Sequence, residues 1–373
     1  MAYHLPDPLP WAKLAGPLAA AGDSLARLDE RLAKSPIREG WVARAHFSDS
    51  AASLWLDGEL VHLEDLVLHD ARMDIRTPTH ELIRAHAILR ARRRIASAEP
   101  GWALSPAGLD TLRDRDQAPP PSIGKGRALA GEPDDENVFD DEDASDERDG
   151  DGGALSEEFA AIDAALVRSR QALQTESARG PERDPLVYDL DWDEDERLAA
   201  WRTVVGQTTS LPPVLAAALV LQAWDAIEPL QHLSWLGRLI ASALLRERGK
   251  ARAHLPCLNI GLRFLPRDRR RGFDDDDKPR VYIDAISAAA ESGMKDHDRW
   301  LLARRQLERK LVGRRSNSSL PALVELVTAT PIVSAGMISK SLDVSHRAAQ
   351  DMVAELGLRE ITGRGRYRAW GLI

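Results

Sequence analysis

The sequence is poor in the features that mark secreted and membrane proteins. Its 373 residues include one cysteine, Cys257, so a disulfide bridge within the chain is excluded and a reducing compartment is favoured. Residues 1–11 show no charged segment followed by an apolar one, as a secretory leader would. The longest apolar run, near Val214–Trp224, is too short to cross a bilayer. We therefore expect a soluble cytoplasmic protein without a membrane partner.

The chain also lacks an even distribution of charge. Its formal net charge is −9, but the stretch Glu132–Asp151 holds twelve acidic residues and one basic residue. Without this stretch the rest of the chain has a formal charge of +2, and the last 73 residues, Leu301–Ile373, have a charge of +6. A basic C-terminal end inside an acidic average suggests a nucleic-acid partner.

The acidic stretch belongs to a segment that separates the helical parts of the chain. From residue 116 to 153, apolar side chains are too sparse to offset the entropy of ordering, which predicts an acidic disordered linker. Helical patterns occupy residues 1–115 before the linker and residues 154–313 after it, and a further module covers residues 320–373. The predicted fold is therefore mainly α.

The most apolar part of the chain predicts two helices joined by a short polar turn. Apolar residues recur at steps of three and four over Val214–Ile227 and again over Trp235–Leu244, the spacing of a buried helical face. Pro212 and Pro213 favour the start of the first helix, and Gly249 favours the end of the second. A helix pair this apolar is expected at the centre of a domain.

The turn between these helices resembles the signature of Fic-type nucleotidyl transferases, H-P-F-x-(D/E)-G-N-G-R-x-x-R. The frame fits from Trp224 to Leu239 with one residue deleted in the loop. In that family the histidine is the general base, the acidic residue holds Mg²⁺, and the Gly-Asn-Gly turn offers backbone N–H groups to phosphates. The resemblance implies a Fic-like helical bundle.

The residues at the chemically important positions of this signature differ. Glu228 stands at the histidine position, Leu230 at the phenylalanine position and His232 at the position of the metal-binding acid. Residues 233–235 replace Gly-Asn-Gly with Leu-Ser-Trp, whose side chains prevent the close backbone approach that glycine allows. The residues that match the signature are Pro229, Gly237 and Arg238. We interpret the region as a Fic-like scaffold that has lost nucleotidyl transfer, and we expect no catalytic residue, cofactor or metal site.

A second resemblance concerns an inhibitory helix that Fic proteins often carry, with the pattern (S/T)-x-x-x-E-(G/N). The segment Ser53–Gly58 is similar to it, with Asp57 in place of the glutamate. Because the family's glutamate pairs with the second arginine of the signature, the resemblance implies an ion pair between Asp57 and Arg238. The alternative is a solvated helix end.

Two other segments are rich in arginine. The segment His80–Ile95 predicts a helix with a basic end, and a DNA contact explains this end about as well as the favourable interaction of arginine with a helix C-terminus. The arginines of that end are Arg90, Arg92, Arg93 and Arg94. In the second segment, Arg267–Arg271 precedes Asp274–Asp277, which predicts a polar loop whose charges neutralise each other.

Residues 320–373 predict a winged helix-turn-helix, in which two short strands around a turn follow three helices. The expected helices are Pro321–Thr328, Ala335–Leu342 and His346–Leu356. Ser345 is suited to cap the third helix, and Gly357 to end it. The segment Leu356–Arg368 also resembles the ending of the winged module that follows many Fic domains, L-x-x-L-G-(I/L)-L-R-E-x-T-G-R-x-R-x-R.

The third helix of this module has an inward apolar face and an outward polar face. In a helix-turn-helix, the outward N-terminal residues of this helix enter the major groove. Arginine can pair there with guanine and glutamine with adenine, while arginines on the wing suit phosphates or the minor groove. The residues predicted to bind DNA are Ser345, His346, Arg347, Gln350, Arg364, Arg366 and Arg368.

These features favour a DNA-binding protein and transcriptional regulator, whose Fic-like body serves for dimerisation or sensing. Its partner is double-stranded DNA, and a homodimer follows if the protein binds a two-fold site. One alternative is a protein-interaction partner, as in a toxin–antitoxin pair. Another is an enzyme with altered nucleotide chemistry at Glu228, His232 and Arg238. The whole pattern resembles uncharacterised alphaproteobacterial proteins in which a domain of unknown function precedes a helix-turn-helix.

Overall fold

The computed structural model describes residues 3–74, 77–117, 192–271, 277–311, 319–362 and 368–372. Contacts divide the chain into two compact units, residues 1–116 with 193–373 and residues 117–192. Apart from Gln117, the described helices and strands all lie in the first unit. The predicted acidic linker lies outside the described residues from residue 118 onward, as does the part of the following helical pattern before residue 192.

The N-terminal part of the first unit is helical throughout. Its helices are α1 (Trp11–Ala33), α2 (Arg38–Leu56), α3 (Leu63–Asp70), α4 (His80–Ser97) and α5 (Pro106–Gln117), with a 3-10 turn at Trp102–Leu104. Helix α4 begins after Thr79, whose side chain accepts a hydrogen bond from the backbone N–H of Leu82 at 3.3 Å. This contact satisfies one of the backbone donors that a helix N-terminus leaves unpaired.

The chain then forms the central helices. They are α6 (Glu194–Gln207), α7 (Pro213–Ile227), α8 (Ser234–Glu247), α9 (Leu258–Phe264), α10 (Arg267–Arg271) and α11 (Lys278–Leu311). Helix α7 is buried at every residue from Val214 to Trp224, so it lies at the centre of the domain, as its apolar sequence predicts. Gly249 adopts a φ of 71° after α8, a conformation that glycine tolerates without strain. Among the described helices, none is both long and apolar enough to span a bilayer.

One apolar core joins the helices from both sides of the predicted linker. Helix α1 packs along α11, and Leu28 lies so close to Gly293 that a Cβ there would be 2.8 Å from its Cδ2. The indole of Trp41 in α2 donates a hydrogen bond to the carbonyl oxygen of Gly293 at 3.1 Å. The N-terminal helices and the central helices therefore fold around the same core.

A fully buried ion pair crosses this core. Arg92 of α4 donates a 2.8 Å hydrogen bond to the Asp49 carboxylate of α2, and both side chains are almost inaccessible to solvent. The same carboxylate accepts hydrogen bonds from the Asn259 amide at 2.8 Å and from the backbone N–H of Ile260 at 3.0 Å. Each Asp49 oxygen thus has a partner, which a buried charge requires.

The remaining contacts of Arg92 hold the chain segment before α9. Its guanidinium donates to the carbonyl oxygens of Leu255 at 2.7 Å and Pro256 at 3.1 Å, and to the sulfur of Cys257 at 3.2 Å. Arg92 is therefore buried in the core and is not a DNA contact, one of the two interpretations that its sequence position suggested. Burial raises the pKa of the Cys257 thiol to about 12, so this thiol is protonated and unreactive at neutral pH.

Aromatic packing around α7 requires a glycine in α8. The rings of Trp201 and Trp224 meet edge to face with centroids 5.1 Å apart, and the Trp201 indole donates to the Val220 carbonyl oxygen at 3.1 Å. A Cβ at Gly237 would lie 2.3 Å from the Trp224 ring. Gly237 therefore allows close packing of α7 on α8.

The C-terminal module contains the three predicted helices and the two predicted strands, together with an additional short strand between the first two helices. They are α12 (Leu320–Ala329), β1 (Val333–Ser334), α13 (Ala335–Leu342), α14 (His346–Leu356), β2 (Arg359–Glu360) and β3 (Ala369–Gly371). The strands form an antiparallel sheet with β3 in the middle, where Trp370 pairs with Val333 on one side and Glu360 on the other. The prediction of a mainly helical fold with a C-terminal helix-turn-helix is confirmed.

Buried polar contacts attach this module to the preceding helices, α1 to α11, which we call the body. The Arg44 guanidinium of α2 donates to the carbonyl oxygens of Val327 at 2.7 Å, Thr328 at 2.7 Å and Thr330 at 2.8 Å, at the end of α12. Burial lowers the pKa of Arg44 to about 10, so it stays charged at neutral pH and complements the negative end of the helix dipole. Gly40 allows the close approach, since a Cβ there would be 2.9 Å from the Thr328 methyl group.

The last turn of α11 provides a second attachment. Leu307 belongs to the apolar core of the module. The Lys310 ammonium donates a hydrogen bond to the carbonyl oxygen of Leu356, the last residue of α14. The long helix of the body thus ends against the third helix of the module.

Replacing Asp49 by alanine is expected to lower the free energy of unfolding by about 3–5 kcal/mol, because Arg92 would remain as a buried charge without its carboxylate partner. Urea unfolding followed by circular dichroism measures this change. The matched control is Glu30→Ala, which breaks an exposed ion pair with Lys34 and should leave the unfolding midpoint unchanged. Equal midpoints for the two variants would contradict a structural role of the buried pair.

Replacing Gly237 by alanine is expected to lower the free energy of unfolding by about 1–3 kcal/mol, because the added methyl group overlaps the Trp224 ring. The control is Gly206→Ala in α6, where no atom lies within 4 Å of the added Cβ, and this change should be neutral or stabilising. Thermal unfolding with tryptophan fluorescence distinguishes the two variants. Equal stabilities of Gly237→Ala and Gly206→Ala would show that the Trp224 ring does not require a glycine at position 237.

Candidate functional site

Local sequence signals position the third helix of the C-terminal module. Asp343 takes a φ of 51° and turns the chain after α13. The Ser345 hydroxyl then accepts a 3.1 Å hydrogen bond from the backbone N–H of Ala348 and caps α14, as the sequence predicts. Gly357, with a φ of 58°, ends the helix. Asp343 and Ser345 thus set the N-terminus of α14, and Gly357 sets its C-terminus.

One face of α14 packs into the module and the other is open to solvent. Ala349, Val353 and Leu356 are at most 3% exposed and belong to the apolar core of the module. The residues on the open N-terminal face are Ser345, His346, Arg347 and Gln350, all of them exposed. The structure therefore brings four of the predicted DNA-binding residues together on one accessible surface, which we call the reading face.

Charge divides α14 along its length. His346 and Arg347 lie in the first turn, where the helix dipole already favours anions. Asp351 and Glu355 lie further along the helix and are exposed. The N-terminal half of α14 therefore presents basic side chains to solvent, and its C-terminal half presents acidic ones.

The wing is described only at its base. Arg368 is exposed, but its guanidinium lies 2.7 Å from the Glu360 carboxylate and 5.5 Å from the centroid of the Trp370 ring. These contacts link β2 to the residue that precedes β3. Arg364 and Arg366 lie outside the described residues.

The loop between α7 and α8 contains the residues that the sequence analysis compares with the Fic signature. Glu228 and His232 are exposed, and both adopt the left-handed conformation, with φ values of 48° and 62°. Pro229 and Leu230, which belong to the same loop, are buried. Left-handed backbone costs a non-glycine residue free energy, so the loop conformation depends on this packing.

Arg238 is held by three neighbours. Its guanidinium lies 3.0 Å from the Asp57 carboxylate, donates to the Ser53 hydroxyl at 2.9 Å and donates to the Asn259 side-chain oxygen at 2.6 Å. The Arg238 and Asp57 side chains are only 13% and 16% exposed. The structure thus brings together the two residues that the sequence resemblance pairs.

Beside Arg238 lies a concave pocket of about 420 Å³, which we call the central cavity. Its lining residues are Trp55, Leu56, Gly58, Leu221, Asp225, Arg238, Leu262, Arg267, Arg270, Lys278, Val281 and Tyr282. The Tyr282 hydroxyl donates a hydrogen bond to the Asp225 carboxylate. Loss of hydration around the Asp225 carboxyl raises its pKa. Burial beside this carboxylate likewise raises the pKa of the Tyr282 phenol.

The sequence does not identify two of the residues that line this cavity. The sequence predicts a polar loop at Arg267–Arg271, whereas these residues form the short helix α10, and Arg267 and Arg270 line the cavity. No local signal identifies them, because their role depends on elements far away in sequence.

Comparisons with known proteins match two parts of the chain, the central helices and the C-terminal module. Residues 186–312, which contain α6 to α11, match a family described as "Protein of unknown function (DUF1612)". Residues 320–373 match the family described as "HTH DNA binding domain". The Sinorhizobium fredii (strain NBRC 101917 / NGR234) protein "Uncharacterized protein y4cF" is 50% identical over 391 residues, and the match covers 100% of both chains. The chain therefore belongs to the family of this Sinorhizobium protein, and it carries a DUF1612 region followed by a helix-turn-helix DNA-binding domain.

Proposed function

We propose that the protein is a transcriptional regulator that reads a specific sequence of double-stranded DNA through α14. The observation that carries this proposal is the reading face, where Ser345, His346, Arg347 and Gln350 are exposed at the N-terminal end of the helix. The helix-turn-helix match over residues 320–373 and the basic C-terminal end support it.

In this proposal the N-terminal half of α14 enters the major groove. Arg347 and Gln350 are three residues apart and therefore lie on the same face of the helix. Arg347 pairs with guanine O6 and N7, and Gln350 pairs with adenine N6 and N7. Ser345 and His346 contact phosphates at the edge of the groove, where the N-terminal helix dipole strengthens the attraction.

The wing completes the interface. Arg364, Arg366 and Arg368 contact the phosphate backbone or the minor groove on the flank of the site. Arg368 keeps its ion pair with Glu360 and contributes through the remainder of its guanidinium. A homodimer would place two reading faces on a two-fold site, with half-sites one or more helical turns apart.

The body belongs to this proposal as a Fic-like scaffold without nucleotidyl transfer. Gly237, which matches a position of the signature, is required by the packing of Trp224. Residues 233–235 lack the glycines of a phosphate-binding turn. The body then serves for dimerisation or for sensing a signal.

The double substitution Arg347→Ala/Gln350→Ala is expected to abolish the enrichment of specific fragments from a pool of genomic DNA. Loss of each base contact costs about 1–3 kcal/mol of discrimination, or roughly 5- to 150-fold in affinity for the preferred site. Binding of the full-length protein is measured at two salt concentrations, with sequencing of the retained DNA. Arg347→Lys should keep the salt-dependent attraction but reduce the discrimination, because lysine cannot form the bidentate contact.

The matched control is Arg305→Ala/Gln306→Ala, which removes the same two side-chain types from an exposed part of α11. It should retain the same fragments as the wild type. Steeply salt-dependent binding without enrichment in any variant would contradict sequence reading. No binding at all would reject the regulator and favour a protein partner.

A further inference from the structure

The central cavity has two chemically different parts. Its apolar part is formed by Leu221 of α7, Leu262 of α9 and Val281 of α11, each of them buried. Its charged part comprises four cationic side chains and one carboxylate, Asp225. A pocket of about 420 Å³ lies within the size range of small-molecule sites.

Two arginines give the cavity a fixed cationic end. Arg238 is oriented by Asp57, Ser53 and Asn259, so it loses little side-chain entropy when it meets a ligand. Arg267 lines the cavity from α10, and in the described part of the chain its guanidinium has no hydrogen bond or ion pair. One arginine is thus held in position, and the other has no ion-pair partner among the described residues.

An aromatic side chain borders the same space. The Trp55 ring contacts the guanidinium groups of Arg270 and Arg263, whose central carbons lie 4.7 Å and 5.2 Å from the ring centroid. These contacts hold the ring through cation–π attraction. Trp55 therefore adds an aromatic side chain to the cavity lining next to the arginines.

The carboxylate in the lining limits which anions fit. Asp225 is bound by the Tyr282 hydroxyl and faces the same space as Arg238 and Arg267. A polyphosphate would bring several negative charges close to this carboxylate, and like charges repel. Inorganic phosphate would leave the apolar part uncovered. A ligand with one anionic group and an apolar body satisfies both parts.

We propose that the central cavity binds a small amphiphilic organic anion, a carboxylate or sulfonate with an apolar body. The anionic group lies between Arg238 and Arg267, and the apolar body lies on Trp55, Leu221 and Leu262. This site lies entirely within the body and does not depend on the proposed DNA binding.

Anilinonaphthalene sulfonate tests the site, because it has one anionic group and an apolar body and becomes fluorescent in apolar surroundings. We expect the folded full-length protein to bind it saturably, with one site per chain. Octanoate should displace it, whereas octanol and inorganic phosphate should not. Arg267→Glu should weaken the binding of the probe by at least about tenfold, since it puts a negative charge beside the anionic group.

The control variant is Arg269→Glu, which makes the same charge change on the same short helix at a residue outside the cavity lining. It should bind the probe within about twofold of the wild type. Circular dichroism shows that both variants are folded. The site is rejected if the wild type does not bind the probe, if Arg267→Glu binds like the wild type, or if octanol displaces the probe as well as octanoate does.

Discussion

The buried ion pair between Asp49 and Arg92 holds together parts of the chain that are distant in sequence. Neither charge is stable in the core without the other. Two carbonyl oxygens before α9 accept hydrogen bonds from Arg92, and the backbone N–H of Ile260 within α9 donates one to Asp49. Asn259 extends this network, because it donates to Asp49 and accepts from Arg238. Arg238 in turn binds Asp57. The interactions that hold the helices together therefore also fix an arginine in the wall of the central cavity.

The C-terminal module is attached to the body by the same kind of contact. Arg44 satisfies three carbonyl oxygens at the end of α12, and Lys310 satisfies one at the end of α14. Carbonyl groups at helix ends have no partner within the helix, so these side chains both complete the helices and orient them. The orientation of the reading face is thus set by residues of the body.

The sequence is most informative where structure depends on near neighbours. The bounds of α14 and its open face follow from the Ser345 cap and from a helical period that places Val353 inside. Arg92 is different, because a basic helix end has the same sequence pattern whether it is solvated or buried against a carboxylate 43 residues away. The same holds for Arg267, whose place in the cavity depends on helices that the local sequence does not specify. The contact of Asp57 with Arg238 followed from a family resemblance and not from residue spacing.

Helix α11 connects the two regions where ligands are proposed. Its first turn lines the central cavity through Lys278 and Val281, and its last turn reaches the third helix of the module through Lys310. Its 34 residues form a rod about 51 Å long. A tilt of only about 2° at one end of such a rod moves the other end by about 2 Å, given this length. A small tilt of α11 at the cavity would therefore displace the end that contacts Leu356 of α14.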